Sequence, residues 1–375
     1  MNKKIIFVSL DTVRADVAYS GKFKGIKELR KDSVTFLNTI SSSPLTPVSH
    51  ATVFSGLQPY NHGIRHLFKE KLNKEVETLA EKLKKENYNT GAVVSCPGMN
   101  KWYDFCRGFD HYDDEIPRLA DGSDPLETVD VKLRGSALKR GEVVYERGVE
   151  WLEKNKEKDF FLFLHFFDAH WPYEAPKKYG GDNYYEEEVA YSDHYLGKFI
   201  EYLKKENLYD DATIICFSDH GEDLDGLYPN DKGGEKLGHP EELGHGCLLY
   251  DQTQKVVLTI KDKNLDKNID IEDQVRLVDI MPTALDLLDI KYEKEKLDGK
   301  SLLPILKGDK LDLLGYSETY YPKEQAEATG GKFSETRNKK SFRINNKYKI
   351  IKHIDSDKVE YYNLEKDVNE LKDLI

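Results

Sequence analysis

Asp11, the triplet Asp168-Ala169-His170 and the pair Asp219-His220 each follow a short apolar run: Ile5–Leu10, Phe160–Phe167 and Thr213–Ser218. Carboxylates and imidazoles hold divalent cations and move protons near neutral pH. If the three runs are parallel strands of one sheet, their carboxyl ends open on a shared edge, where ligands sit in open α/β sheets. An Asp after a strand is commonly a helix cap or Asx-turn, so no single one carries the argument; their joint placement does. A hydroxyl supplies the second element. In Ser41–Gly56, Thr46 reads as a helix N-cap and Pro47 as the first helical residue, with the helix ending near Gly56. A hydroxyl exposed there, beside free N–H groups and the positive end of the dipole, can attack a tetrahedral oxyanion ester.

Positioning these groups requires a sheet with helices around it. Short apolar runs at Lys4–Leu10, Thr90–Ser95, Phe160–Phe167, Thr213–Ser218 and Lys255–Ile260 read as strands. They alternate with amphipathic stretches at Lys74–Glu86, Gly141–Asn155, Glu186–Glu206 and Ile271–Leu288 that read as helices. That alternation predicts an α/β class. Ser341–Ile354 and Val359–Tyr362 read as short antiparallel strands, which makes 1–310 a catalytic α/β domain and 311–375 a small α+β subdomain. The long stretches Pro97–Asp130 and Gly221–Gly246 have no readable pattern and are expected to be functional loops.

The chain has 375 residues, long enough for a large core, and its net charge of −12 excludes a nucleic-acid scaffold held by general phosphate attraction. Cys96, Cys106, Cys216 and Cys247 form no CxxC pair, which fits a reducing compartment. The N-terminal apolar run meets Asp11 after six residues, too short for a secretory signal, and no stretch approaches a membrane span. The expected location is the cytoplasm, with no membrane partner.

The sequence resembles the sulfatase branch of the alkaline phosphatase superfamily along nearly its whole length. Val8–Asp16 resembles the opening metal-binding strand, and Thr46–Gly56 with Pro59 and His62-Gly63-Ile64-Arg65 resembles the nucleophile helix. Asp168–Tyr173, Phe217–Glu222, Val278–Thr283, Asp298–Pro304 and the pair Arg343–Ile351 and Tyr361–Leu371 resemble the later landmarks, in the family's order. The resemblance implies a three-layer α/β/α sandwich with a large, mostly parallel sheet and a small C-terminal antiparallel sheet. It also implies a divalent metal facing a covalent nucleophile. Carried over residue by residue, Asp11, Asp219 and His220 bind the metal with Thr46 as nucleophile and further ligand, His170 lies near the leaving group, and His245 meets the oxyanion or a metal. His50, Arg65, Lys101 and Asp168 are the expected substrate-binding residues.

Departures from the family pattern sharpen the chemistry. Formylglycine sulfatases need Cys or Ser at the position held here by Thr46, which cannot become the aldehyde, and His50 stands where they have Arg. An ester on threonine must be hydrolysed at its central atom, an ordinary route for phosphoryl groups, so phosphate esters are favoured over sulfate esters. An imidazole with oxygen ligands favours zinc or manganese over magnesium or calcium. His239 and His245 beside Asp168 would be the donors of a second metal, which the resemblance leaves open. The substrate is expected to be a small-molecule or carbohydrate oxyanion ester. A transferase using an alcohol acceptor and a catalytically silent metal-binding homologue are the competing readings. Neither the leaving alcohol nor an oligomeric state has a pattern in the sequence.

Overall fold

A computed structural model describes residues 3–118, 122, 139–175, 177–224, 238–240, 242, 244–329 and 337–375. Residues 119–121, 123–130, 225–237, 241 and 243, within the two long stretches noted above, lie outside the described residues.

Nine strands form a mixed sheet: β1 (Lys4–Leu10), β2 (Val34–Ile40), β3 (Asn89–Val93), β4 (His111–Asp113), β5 (Phe160–Phe166), β6 (Ala212–Phe217), β7 (Lys255–Val256), β8 (Leu258–Lys261) and β9 (Ile269–Arg276). Their order is β4-β3-β5-β1-β6-β8-β2-β7, with β9 paired to β2. Four more, β10 (Leu314–Thr319), β11 (Lys339–Ile344), β12 (Tyr348–His353) and β13 (Val359–Asn363), form an antiparallel sheet in chain order. This is the expected α/β architecture. The chain divides into two compact units, the first Met1–Thr35, Glu77–Ser218 and Leu258–Ile269, the second Phe36–Val76, Asp219–Val257 and Asp270–Ile375.

In the first unit, β1 lies between β5 and β6 and pairs in parallel with both, Leu10 opposite Phe166 and Ser9 opposite Phe217. These strands are mostly apolar because both faces are covered. Helix Gly141–Asn155 packs on β5 and β3, and glycine makes the approach close: a Cβ on Gly91 of β3 would fall 2.3 Å from the Trp151 ring. Tyr184–Lys205 forms a second long helix, started by the Asn183 side chain accepting the Glu186 N–H.

The second unit contains helix Thr46–Ser55, helix Ile280–Leu287 and the small sheet. That sheet inverts the usual amphipathic pattern. Lys339, Arg343, Lys349, His353 and Glu360 are buried, whereas Leu314, Phe342 and Ile344 are 40–44% exposed. The inward charges are paired: Lys349 reaches Glu370 at 2.6 Å and Asp251 at 3.1 Å, Arg343 also binds Asp251, and His353 meets Glu360 at 2.6 Å.

Several elements differ from the sequence reading. Ile271–Leu288 is not one helix: its first part is the end of β9, and the helix covers only Ile280–Leu287. In β9 the acidic residues Asp270, Glu272 and Asp273 are exposed, and Val275 and Arg276 are buried, so spacing alone did not separate edge strand from helix. The stretch Lys74–Glu86 is helical only over Leu79–Lys85, where a capping box between Thr78 and Glu81 starts it. The run at Lys255–Ile260 is broken into β7 and β8.

Candidate active site

The first unit brings three carboxyl-terminal strand ends to one edge. Asp11 lies one residue beyond Leu10, Asp168 two beyond its partner Phe166, and the chain leaves β6 at Phe217, two residues before Asp219. The Asp11 N–H bonds to the Phe166 carbonyl at 2.9 Å, holding β1 and β5 in register at that edge. Asp11 is fully buried and its Oδ2 lies 2.9 Å from Nε2 of His165, a residue of β5. Donor atoms of Asp11, Cys96 and His165 all lie within 4.8 Å of one another.

The other residues expected in this unit are placed as follows. Asp168 accepts from the Gly141 N–H at 3.0 Å, from Ser192 at 3.3 Å and from the Arg140 guanidinium at 3.1 Å. It therefore anchors the start of helix Gly141–Asn155. Burial pushes its carboxyl up, with Arg140 pulling the other way. His170 donates from Nδ1 to the Trp171 carbonyl at 2.6 Å and stacks on Phe167, which leaves Nε2 as its bare nitrogen. Lys101 pairs with Asp114 at 2.9 Å and lines a pocket of about 570 Å³ with Asp113, Arg147 and Trp151.

Thr46 lies in the second unit, at the first turn of a ten-residue helix buried along its whole length. Leu45, not Thr46, has the extended backbone of the N-cap, and no side chain caps the helix. One residue of offset matters here, because the Thr46 hydroxyl is not spent on capping. Its Oγ1 lies 3.3 Å from His220 Nε2. His220 Nδ1 lies 2.9 Å from the Gly221 carbonyl and donates to it, so in the neutral ring Nε2 offers its lone pair toward Thr46. The same Nε2 is 3.4 Å from Asp219 Oδ2. Ser41 and Ser49 both donate to the Asp219 carbonyl and fix the backbone of the pair.

His50 is completely buried, and its Nδ1 lies 2.8 Å from the Thr46 carbonyl and 3.5 Å from Asp219 Oδ2. Its ring braces the Thr46 backbone and the Asp219 carboxylate. His245 lies against His220 with ring centres 4.2 Å apart and planes tilted by 38°, and its Nδ1 lies 3.1 Å from Glu222 Oε1. Burial pushes the His245 imidazole down to about 4 against the pull of the Asp219 charge, so it is neutral at pH 7. Arg65 makes a bidentate pair with Glu318 at 2.6 and 2.7 Å and bonds to the Tyr320 hydroxyl. His239 is held by Gln252, the Glu370 carbonyl and a stack on Tyr250.

The second unit thus assembles Thr46, His50, Asp219, His220 and His245 from three separate parts of the chain. The donor set fits a cation. A hydroxyl oxygen, a bare imidazole nitrogen and a carboxylate oxygen converge with separations of 3.3 and 3.4 Å. Ligand atoms about 2.0–2.1 Å from a tetrahedral zinc are about 3.3 Å apart. The sequence reading missed Glu222, Ser41 and Ser49 in this unit and His165 in the first. Only His165 left a signal, as the one polar side chain in the run Phe160–Phe166.

Among the described residues, no helix is long and apolar enough to cross a membrane. The sulfatase family profile matches residues 3–290, and the profile described as N-sulphoglucosamine sulphohydrolase, C-terminal, matches residues 245–375. An uncharacterised sulfatase of Escherichia coli, YdeN, is 32% identical over 175 residues, 44% of this chain and 30% of that protein. Arylsulfatase K of Rattus norvegicus is 22% identical over 346 residues, 76% of this chain and 58% of that protein. The chain spans less than two thirds of the length of these curated relatives. The phosphonate monoester hydrolase of Agrobacterium radiobacter shares the fold with a TM-score of 0.76 at 17% identity, covering all of this chain and 91% of that one. BT4656, solved with D-glucosamine-2-N,6-O-disulfate, has a TM-score of 0.77 at 16% identity and 93% coverage. With a profile match running from β1 past helix Thr46–Ser55 and the Asp219-His220 pair, the chain belongs to the sulfatase family.

Proposed function

We propose that the protein is a metal-dependent hydrolase of oxyanion esters that works through a covalent Thr46 intermediate and prefers phosphate to sulfate. The observation that carries this reading is the Thr46 hydroxyl 3.3 Å from the bare nitrogen of His220, with Asp219 beside it. Asp219, His220 and Thr46 would hold the cation, and the family resemblance adds Asp11; zinc or manganese suits an imidazole among oxygens. When bound, such a cation favours the alkoxide of Thr46 and neutralises charge on the substrate's oxygens.

Thr46 Oγ1 attacks the central atom, forming the bond to threonine as the bond to the leaving oxygen breaks. His245 or His170, each with Nδ1 held by a hydrogen bond, would protonate the leaving oxygen through Nε2 after that nitrogen takes up a proton, the one Thr46 gives up on attack being the source. His50 keeps the Thr46 carbonyl and Asp219 in position throughout. Water then attacks the same central atom and frees Thr46. Because threonine cannot form an aldehyde hydrate, the intermediate has no route through carbon–oxygen cleavage, which supports phosphate. Structural neighbours named as phosphonate monoester hydrolases, from Agrobacterium radiobacter and Silicibacter pomeroyi, are consistent with this preference. The sulfated-sugar neighbour extends the substrate class to carbohydrate esters.

Cation identification combined with rates on matched phosphate, phosphonate and sulfate esters of one alcohol tests the reading. Faster turnover of the phosphate or phosphonate ester is expected. Faster sulfate turnover overturns the preference, and metal bound without turnover of any ester overturns the hydrolase assignment.

A further inference from the structure

His165 is the single polar side chain of β5 and is completely buried, yet both of its ring nitrogens are engaged in a defined way. Nδ1 lies 3.3 Å from the backbone N–H of Ser95, and a ring nitrogen that accepts an N–H carries no proton. The proton is therefore on Nε2, which points at Asp11 Oδ2 at 2.9 Å. A second bond, from the Ser95 hydroxyl to the His165 carbonyl, locks the same two residues together. The pairing is built into the sheet, since β1 and β5 place Ser9 opposite His165 and Leu10 opposite Phe166.

We infer that His165 is a positioning residue for the cation: its Nε2–H holds one oxygen of Asp11 and so orients the carboxylate for coordination. This rests on the reading of Asp11 as a ligand. Partners that orient metal-binding carboxylates and imidazoles through hydrogen bonds commonly change metal affinity 10–100-fold when removed. Cys96 lies close to both side chains, but a protonated Nε2 and an acceptor Nδ1 leave His165 no lone pair for a metal of its own.

The test measures zinc and manganese affinity of the purified full chain by competition with a chromophoric chelator, alongside urea denaturation of the metal-free protein. His165→Leu is expected to weaken cation binding about 10–100-fold. In His165→Gln, the amide nitrogen can take the place of Nε2, and affinity is expected to recover to within a few-fold of wild type. Equal affinity in His165→Leu and wild type overturns the inference, as does an equal loss in both variants. A second bound cation that disappears in Cys96→Ser also overturns it. Asp11→Asn separates the two levels: unchanged affinity there rejects Asp11 as a ligand, and with it the underlying reading. Should His165→Leu fail to fold, nitrogen NMR of the wild-type imidazole decides. A proton on Nε2 whose resonance moves on cation addition supports the role, and a proton on Nδ1 rejects it.

Discussion

Thr46 is the residue on which the proposed chemistry turns, and substitutions there separate attack from binding. Thr46→Ala removes the nucleophile without removing Asp219, His220 or His50, so turnover should fall on the order of 10³-fold or more while the far-ultraviolet spectrum stays unchanged. Thr46→Ser keeps a hydroxyl 3.3 Å or so from the same imidazole and should retain measurable turnover. Steady-state rates of the two variants on one phosphate ester check both outcomes. Much of this site was legible as residue types, because Asp11, Thr46, Asp219 and His220 sit at element ends where chain direction changes. Their supports were not. The hydrogen bonds from Ser41 and Ser49 to the Asp219 carbonyl, and the Glu222 partner of His245, depend on side chains far apart in sequence. Thr46 and Leu45 exchanged roles at the cap because the backbone angles, not the identity of the hydroxyl residue, decide where a helix begins.

At the level of elements, Asp168 shows how a polar group at a strand end can serve architecture. Together with Arg140 and Glu188 it forms a buried cluster at the start of helix Gly141–Asn155, with Arg140 2.7 Å from Glu188 and 3.1 Å from Asp168. Burial pushes the Glu188 carboxyl up to about 7 from its ordinary 4.5, although Arg140 pulls it down. A raised carboxyl binds its proton more tightly folded than unfolded. Its contribution is therefore complete below pH 4.5 and is lost as pH rises through about 7. Comparing urea midpoints at pH 5 and pH 7, Glu188→Gln should flatten the pH dependence by of the order of 1–3 kcal/mol relative to wild type.

The small sheet gives a second element-scale outcome. Asp251 would be raised by burial alone, but Arg343 and Lys349 hold it well below the usual carboxylate range. Asp251→Asn leaves the buried Arg343 without its carboxylate, while Lys349 keeps Glu370, and should cost about 3–5 kcal/mol in urea denaturation. Strands β1, β5 and β6 were readable from sequence because burial on both faces makes them mostly apolar. In the small sheet β11, β12 and β13 were readable as strands and β10 was not, and their orientation was not readable because alternation does not say which face turns inward.

On the scale of the whole molecule, a cation that binds only the folded chain should stabilise it. At a concentration about 100 times the dissociation constant the gain is about 2.7 kcal/mol, a rise of several degrees in Tm. Thermal melts with added zinc or manganese and with chelator should show that shift in the wild type, and Asp219→Asn should show little of it.

The position of β1 in the sheet bears on how the chain is made. Val8 pairs with Leu164 on one side and Cys216 on the other, so β1 waits for one neighbour made roughly 150 residues later and another made roughly 200 residues later. At about 5–20 residues per second, the ribosome needs roughly 10–40 s to deliver β6 after β1 has emerged. Until β5 is made, a mostly apolar segment has neither native edge, and until β6 is made it keeps one edge open to mispairing and aggregation.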